Sequence, residues 1–410
     1  MITDLVARLR QLGVLAGSRA LVAVLGMAAA VLLARALGPE GLGRWALMMA
    51  WLAYLLQLSE LGLRSVMVSE AARAPERARA SLRRYLALRL LASLALAITA
   101  LGIAWASGIG TGALALLLLL VLPAFALQFD WIALARGRLV AAGLLLNLRP
   151  LVWVIFLAAA APLAVDLTAL AWGYGLAAWT AAVASWPLVA RLASGRREAP
   201  MPCGELLRRG LPLCAVNLTN ELQQRLDLVV LGWAAGAAWA GRYYLASALL
   251  VAGLWVANAA NQGALGRFAP YAGRPRTLAR ELVRELVLVL AVAGAIAASV
   301  LLFGELVLIR LFGPAFASAA PVLAALLPWF VLHHASALLQ GALAATRRER
   351  EALWGNLVML GALVAALPFA ALTGDPLAFA AARGAAEGAR LLWLSARLFR
   401  SRNLERLQSA

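Results

Sequence analysis

Long, almost uncharged apolar stretches recur along the whole 410-residue chain, and they constrain its fold more than any other feature. A helix that crosses a bilayer needs about 20 consecutive apolar residues. Segments of that kind fall at roughly 12–36, 43–66, 86–107, 113–135, 142–161, 168–190, 208–234, 241–265, 284–307, 318–344, 352–372 and 377–397. Together they use up most of the chain and leave no room for a sizeable soluble domain. The composition agrees, with 64% hydrophobic and only 14% charged residues. Because a backbone in hydrocarbon must satisfy its own hydrogen bonds, the expected fold is an all-α integral membrane protein of 12 transmembrane helices. The first apolar run follows Arg8 and Arg10 without a small-residue cleavage site, so it reads as a retained span.

Charge sets the orientation. The formal net charge of +18 comes from 37 basic residues, every one of them Arg. They form no single patch, so nucleic-acid binding is not expected. Instead they gather in alternate connections: Arg73, Arg77, Arg79, Arg83 and Arg84; Arg136 and Arg138; Arg191, Arg196, Arg197, Arg208 and Arg209; Arg267, Arg274, Arg276, Arg280 and Arg284; Arg347, Arg348 and Arg350; and the tail with Arg397, Arg400, Arg402 and Arg406. The other connections are tiny and hold almost no Arg. Positive loops stay in the cytoplasm, which places both termini there. Such short outer loops give no home to the acid, base or nucleophile of an outer-face glycan enzyme. No cofactor or metal is expected. Cys203 and Cys214 are about 16 Å apart on a helix, beyond disulfide reach, and adjacent His333 and His334 point about 100° apart.

The chain also matches itself. Gly38 to Leu47 aligns with Gly236 to Leu245 at an offset of 198, pairing Gly38 with Gly236, Gly43 with Gly241, Arg44 with Arg242 and Trp45 with Tyr243. Pro75, Arg84 and Leu86 recur as Pro275, Arg284 and Leu286, and Arg138 with Asn147 recurs as Arg347 with Asn356. Six spans per copy, an even number, make the two copies parallel. The expected organisation is an N-terminal six-helix bundle at 1–191, a cytoplasmic linker at 192–207, a C-terminal six-helix bundle at 208–397 and a basic cytoplasmic tail at 398–410. Parallel repeats are transporter architecture, with two bundles rocking about a site at mid-membrane. The matched glycine element reads as a tight turn whose glycines allow positive φ and whose arginine and aromatic anchor at the interface, with direct substrate contact as the alternative.

Charges inside spans are costly and usually face a cavity or a partner. Asn217, Asn220, Glu221, Gln223, Gln224, Arg225 and Asp227 fall within eleven residues of the seventh span. Asn220, Gln224 and Asp227 share a helical face, and Glu221 and Arg225 stand at i, i+4. This stretch lines water, or else it is a self-satisfied seam with Glu221 neutralised by Arg225. Arg383, Glu387 and Arg390 in the twelfth span are spaced to pair at i, i+4 and i, i+3. Arg19 and Arg35 flank the first span only about 24 Å apart, so one of them snorkels or faces a cavity. Arg149, beside Pro150, lies about 10 Å inside the membrane edge. Glu60, Arg64 and Asp130 read as interfacial. Asn258, Asn261 and Gln262 suit interhelical hydrogen bonds or a cavity lining.

The stretch Leu33-Ala-Arg-Ala-Leu-Gly-Pro-Glu-Gly-Leu-Gly-Arg-Trp45, with Ser-Glu-Leu-Gly-Leu at 59–63, resembles the start of polysaccharide biosynthesis membrane proteins. These are lipid-linked oligosaccharide flippases of the multidrug/oligosaccharidyl-lipid/polysaccharide (MOP) exporter superfamily. Leu207 to Leu231, Gly241-Arg-Tyr-Tyr-Leu-Ala246 and Leu311-Phe-Gly-Pro-Ala-Phe316 resemble later parts of the family. The resemblance implies a V-shaped, MATE-like pair of six-helix lobes in the bacterial inner membrane. It implies alternating-access transport of an undecaprenyl-diphosphate-linked oligosaccharide, an O-antigen, capsule or exopolysaccharide unit, to the outer leaflet. Partners would be that lipid-linked glycan, membrane lipids, a proton or sodium counter-ion and glycan assembly proteins. A planar guanidinium binds diphosphate oxygens bidentately and keeps its charge when partly desolvated. Arg19, Arg225 and Arg149 are the expected substrate-binding arginines, with Asn217, Asn220 and Gln224 beside them, and Glu221 or Asp227 is the expected coupling acid. A multidrug or toxic-cation antiporter of the same superfamily is the alternative, although its cavity should be acidic. A membrane glycosyltransferase or polymerase is disfavoured by the missing outer loop and the lack of an Asp-x-Asp pair, and only the mid-membrane charges argue against a non-transporting subunit.

Overall fold

The computed structural model describes residues 2–106, 112–163, 165–190, 198–268, 271 and 275–408, with side chains described outside 2–16, 19, 255–267, 275–276, 349 and 399–408. Among the described residues the expected spans fall mostly on helix, with breaks inside some of them. In chain order the elements are α1 (Ile2–Glu60), α2 (Leu63–Arg73), α3 (Pro75–Ala106), α4 (Gly112–Ala126), α5 (Asp130–Ala135), α6 (Leu139–Ala160), α7 (Leu167–Ser185) and α8 (Pro187–Ala190). They continue with α9 (Cys203–Ala234), α10 (Ala237–Phe268), α11 (Pro275–Phe312), a 3-10 turn (Pro314–Ala319), α12 (Ala320–Ala325), α13 (Leu327–Ala345), α14 (Glu349–Thr373) and α15 (Pro376–Gln408).

Among the described residues, seven helices are long and apolar enough to cross a bilayer, or eight if Pro314–Ala325 and Leu327–Ala345, bent by 47°, form one span. Two features account for part of the difference from the twelve expected spans. The first two expected spans count together there because α1 joins two helices, and its apolar part Ala20–Glu60 is about 60 Å long by helical rise, twice a hydrocarbon core. It breaks only at Gly38, with φ 64° and ψ −176°, ahead of Pro39, whose ring suits the first turn of a new helix. The helices α9 and α15 have the length but carry the polar clusters. Large apolar side chains left exposed on α3 (Leu91, Leu94, Ile98) and α11 (Val287, Leu301, Leu302) are the bilayer-facing surface such a chain needs.

The chain forms two compact units, Met1–Leu37 with Met48–Glu221, and Gly38–Leu47 with Leu222–Ala410. Both α1 and α9 therefore contribute to each. In the first unit α4 and α6 pack on α7. A core of Leu63, Met67, Tyr85, Phe129, Trp131 and Leu206 fills one end. In the second unit α13 and α14 pack on α15 and α10 packs on α13. Phe268, Leu282, Leu339, Leu343 and Leu394 form a core there.

The repeat survives as geometry. Gly38 and its repeat partner Gly236 both have positive φ, 64° and 86°, as the tight-turn reading requires. Gly43 and Gly241 do something the sequence did not announce. A Cβ on Gly43 would strike the Ala237 carbonyl, and one on Gly241 would strike the Pro39 carbonyl, so the two matched glycines let two helix starts cross backbone to backbone. The matched aromatics are not interfacial anchors, because Trp45 and Tyr243 are both buried. A second matched turn ends α5 and α13. Arg138 N–H donates to the Ala133 carbonyl at 2.9 Å, and Arg348 N–H donates to the Leu343 carbonyl at 2.9 Å, each closing a Schellman turn. The left-handed residues in these turns are Gly137 (φ 65°) and Arg347 (φ 59°), so the copies align here at an offset of 210.

Candidate functional site

The polar run lies on α9, and burial divides it. Asn217, Asn220, Glu221 and Arg225 are half-buried, Gln224 is exposed, and Gln223 and Asp227 are buried. The expected common face of Asn220, Gln224 and Asp227 is therefore not one environment. Gln223 and Asp227, one turn apart, are the residues that point into the second unit. Gln223 donates to the Asn356 carbonyl at 2.5 Å, and Gln340 donates to the Asn356 side-chain oxygen at 2.6 Å. These amides tie α9, α13 and α14 together with their polar ends satisfied.

Asp227 is fully buried with every oxygen engaged. Its Oδ1 accepts the Leu228 N–H at 2.9 Å, while Oδ2 accepts the Tyr243 hydroxyl at 2.5 Å and an Arg383 N–H at 2.7 Å. The Arg383 guanidinium also lies 4.0 Å from the centre of the Trp329 ring. This corrects the expected i, i+4 pairing of Arg383 with Glu387: Arg383 reaches across to another helix instead. Only the i, i+3 pair forms within α15, with Arg390 donating to Glu387 at 3.2 Å. The second oxygen of Glu387 faces His333 Nδ1 at 3.2 Å. His334 Nδ1 meets the Phe330 carbonyl at 2.7 Å. The two histidines thus serve different partners, and the described residues hold no cluster of three or more metal-ligating side chains. Cys203 and Cys214 are both free thiols.

In the first unit, Arg149 is half-buried and stacked, its guanidinium 4.5 Å from the Phe125 ring centre and 5.9 Å from that of Tyr174. Asn147, two residues before Arg149 and so on another side of α6, donates to Ser18 at 2.6 Å and to the Gly143 carbonyl at 2.7 Å, fixing α6 against α1. Asp130 is buried and pairs with Arg64. Arg89, which spacing did not single out, is buried in α3 and donates to the Tyr85 hydroxyl at 2.7 Å. At the end of this unit nearest the basic connections, Arg77 and Arg209 bridge Glu70 and Glu205, with nitrogen to oxygen distances between 2.7 and 3.6 Å. The side chains of Arg19, Asn258, Asn261 and Gln262 lie outside the described residues, as do those of Arg8 and Arg10 and the whole of Arg191, Arg196, Arg197 and Arg274.

Two classes of polar residue result. Asp227, Arg383, Glu387 and Arg390 are buried and form two ion pairs, Asp227 with Arg383 and Glu387 with Arg390. Arg149, Arg225 and Glu221 keep partial exposure.

Residues 9–266 match the family model described as polysaccharide biosynthesis protein. The chain belongs to the polysaccharide biosynthesis protein family. No curated protein matches it. Among solved structures, it is similar to a multidrug resistance MATE family transporter of the MOP superfamily in an inward-facing conformation, at TM-score 0.69 and 16% identity over 93% of this chain and 96% of that one. It is also similar to the lipid II flippase MurJ in an inward closed conformation, at TM-score 0.74 and 13% identity over 93% of this chain and 86% of that one. A third is a MOP superfamily transporter from Pyrococcus furiosus, whose pocket is described as reversed in polarity, at TM-score 0.62 and 15% identity over 95% of each chain. The fold of this polysaccharide biosynthesis protein is like that of these MOP superfamily proteins, and several of its helices are long and apolar enough to cross a membrane.

Within this family member, sequence reasoning missed Trp329 and Arg89, and it named Tyr243 and His333 without their partners Asp227 and Glu387. Each is an aromatic or polar group in an apolar helix, which is a signal, but none stands at a spacing that names its partner.

Proposed function

We propose that this polysaccharide biosynthesis protein flips an undecaprenyl-diphosphate-linked oligosaccharide from the cytoplasmic to the outer leaflet of the bacterial inner membrane. The observation that carries this reading is the family match over residues 9–266 on a MOP fold. In this proposal the membrane carries twelve spans in two six-helix halves, 1–191 and 208–397, joined by 192–207, with both termini and the tail at 398–410 in the cytoplasm. Arg19, Arg149 and Arg225 bind the diphosphate, and Asn217, Asn220 and Gln224 contact the glycan. The half-buried position of Arg149 and Arg225 supports this, since a guanidinium so placed is charged, partly dry and still reachable. A proton or sodium ion couples transport through Glu221. Asp227 is the weaker coupling candidate because its oxygens are already filled by Leu228, Tyr243 and Arg383.

The test is translocation of a fluorescent undecaprenyl-diphosphate oligosaccharide in vesicles carrying the purified full chain. Arg225→Ala should abolish it at unchanged protein level, and Glu221→Gln should uncouple it from both ion gradients. Wild-type rates in Arg225→Ala would refute the diphosphate role. A wild-type protein that moves no lipid-linked glycan but expels a lipophilic cation would instead support drug antiport, which the similarity to a MATE transporter keeps as the second reading.

A further inference from the structure

A groove of about 730 Å³ opens on the side of the first unit, between α3 and the α7–α8 break, away from every residue assigned above to transport. One wall is a single stripe of α3. Arg79 and Arg83, one turn apart and both exposed, sit at one end, and Leu82, Leu86 and Leu90 continue the same face inward. By helical rise the stripe is roughly 16 Å long, about the depth of one leaflet's hydrocarbon. The other wall is Trp186 and Pro187, where α7 ends, with Val189 beyond. Trp186 is half exposed and is held edge-on by Phe129, ring centres 5.5 Å apart. Below the arginines, the exposed Leu91, Leu94 and Ile98 of α3 carry the bilayer-facing surface onward, so the groove opens sideways onto lipid.

The two ends ask for different things. The arginine end suits a phosphate oxyanion, which adjacent guanidiniums bind by charge-assisted hydrogen bonds. The leucine and tryptophan end suits an acyl chain, and an aromatic at such a boundary marks the level of the headgroups. We propose that this groove is a specific binding site for an anionic glycerophospholipid, its phosphate on Arg79 and Arg83 and one acyl chain along Leu86 and Leu90 against Trp186. The site is distinct from the substrate path and holds a resident lipid that seals the α3 to α7–α8 seam. Arg84, on the neighbouring face of α3, is already committed to the Pro200 and Met201 carbonyls at 3.0 and 2.8 Å, which braces α3 beside the site.

The test is native mass spectrometry of the full chain released from detergent after titration with phosphatidylglycerol or phosphatidylcholine. The wild type should retain one phosphatidylglycerol in preference to phosphatidylcholine. Arg79→Gln with Arg83→Gln should weaken that retention roughly thirty-fold, as expected for two arginines near an anionic headgroup. Ala87→Trp, which fills the groove without touching charge, should abolish it while circular dichroism and melting stay as in wild type. Equal retention of the two lipids would overturn the proposal, as would retention that survives both variants. Preferential retention of undecaprenyl phosphate over phosphatidylglycerol would also overturn it, in favour of a substrate docking site.

Discussion

The buried pair of Asp227 and Arg383 allows a quantitative test of how the second unit is held together. Asp227 is fully buried and Arg383 is 4% exposed, so neither charge can turn to water when its partner is removed. Removing one member of such a pair costs about 3–5 kcal/mol, because the remaining charge stays dry and unpaired. Asp227→Leu and Arg383→Met should each fall in that range. If the two acted independently, the double variant would lose about 6–10 kcal/mol, the sum of the singles. The structure argues otherwise, since removing both charges strands neither. What is left unmet is the Tyr243 hydroxyl, which donates to Asp227 at 2.5 Å, and an orphaned buried donor costs about 1–3 kcal/mol. A double variant of Asp227→Leu with Arg383→Met should therefore be no worse than either single, with a coupling of about 3 kcal/mol or more, and adding Tyr243→Phe should recover part of the loss. Unfolding of the purified variants in mixed micelles of mild and denaturing detergent gives the cycle directly. Singles that each cost under about 1 kcal/mol, or a double that equals their sum within about 0.5 kcal/mol, would refute the pairing.

Other sites give sharper single readings. Arg347 holds φ 59° where its counterpart is Gly137, so Arg347→Gly should raise stability by about 1 kcal/mol, read as a higher melting midpoint, by relieving a left-handed side chain. Gly38→Ala meets open space but a positive φ and should cost about 1–2 kcal/mol. Gly43→Ala drives a Cβ into backbone that cannot swing aside and should cost more than Gly38→Ala, about 3 kcal/mol, with poor expression as the first sign. Arg149→Lys keeps the charge but gives up the planar stack on Phe125 and Tyr174, so translocation should need several-fold more lipid-linked substrate while the maximal rate changes less; an unchanged half-saturation would show that the stack has no part in binding.

Most of the fold was readable because hydrocarbon permits so few alternatives. Twenty apolar residues in water are ambiguous, but twelve such runs in one chain can satisfy their backbones only as packed helices. The repeat was readable for the same reason that it exists: a glycine needed at a left-handed turn cannot drift to another residue cheaply, and Gly38 and Gly236 both turned out to need it. Hydropathy could not show every place where a helix stops. Its division at Gly38-Pro39 coincides with a real break, where Gly38 leaves the helix, but it left whole the stretches at 113–135 and 318–344, which break at Leu127–Phe129 and at Leu326. Both omissions have one origin. Hydropathy averages over a window, whereas a kink or a break is set by one proline or one residue's φ, as Pro123 and Pro328 illustrate beside those breaks.

The site was legible as a set of residues and illegible as a set of pairs. The polar cluster on α9 and the charged triplet on α15 were visible as exceptions to an apolar pattern. Spacing then offered partners along the same helix, where a neighbour at i, i+4 contributes only a few tenths of a kcal/mol when solvated. Burial changes the comparison. An arginine taken out of water needs acceptors on several sides at once, and a partner one turn away on its own helix supplies a carboxylate from one direction only. Arg383 instead takes the Asp227 carboxylate from α9 and the face of Trp329 from α13, so three helices converge on one guanidinium. Glu387, freed from Arg383, is shared between Arg390 on its own helix and His333 on α13. The cost of desolvation therefore turns charges that look like local helix pairs into cross-links between helices. The half-buried Arg149, by contrast, rests on the faces of Phe125 and Tyr174 and does not cross-link helices through a buried carboxylate.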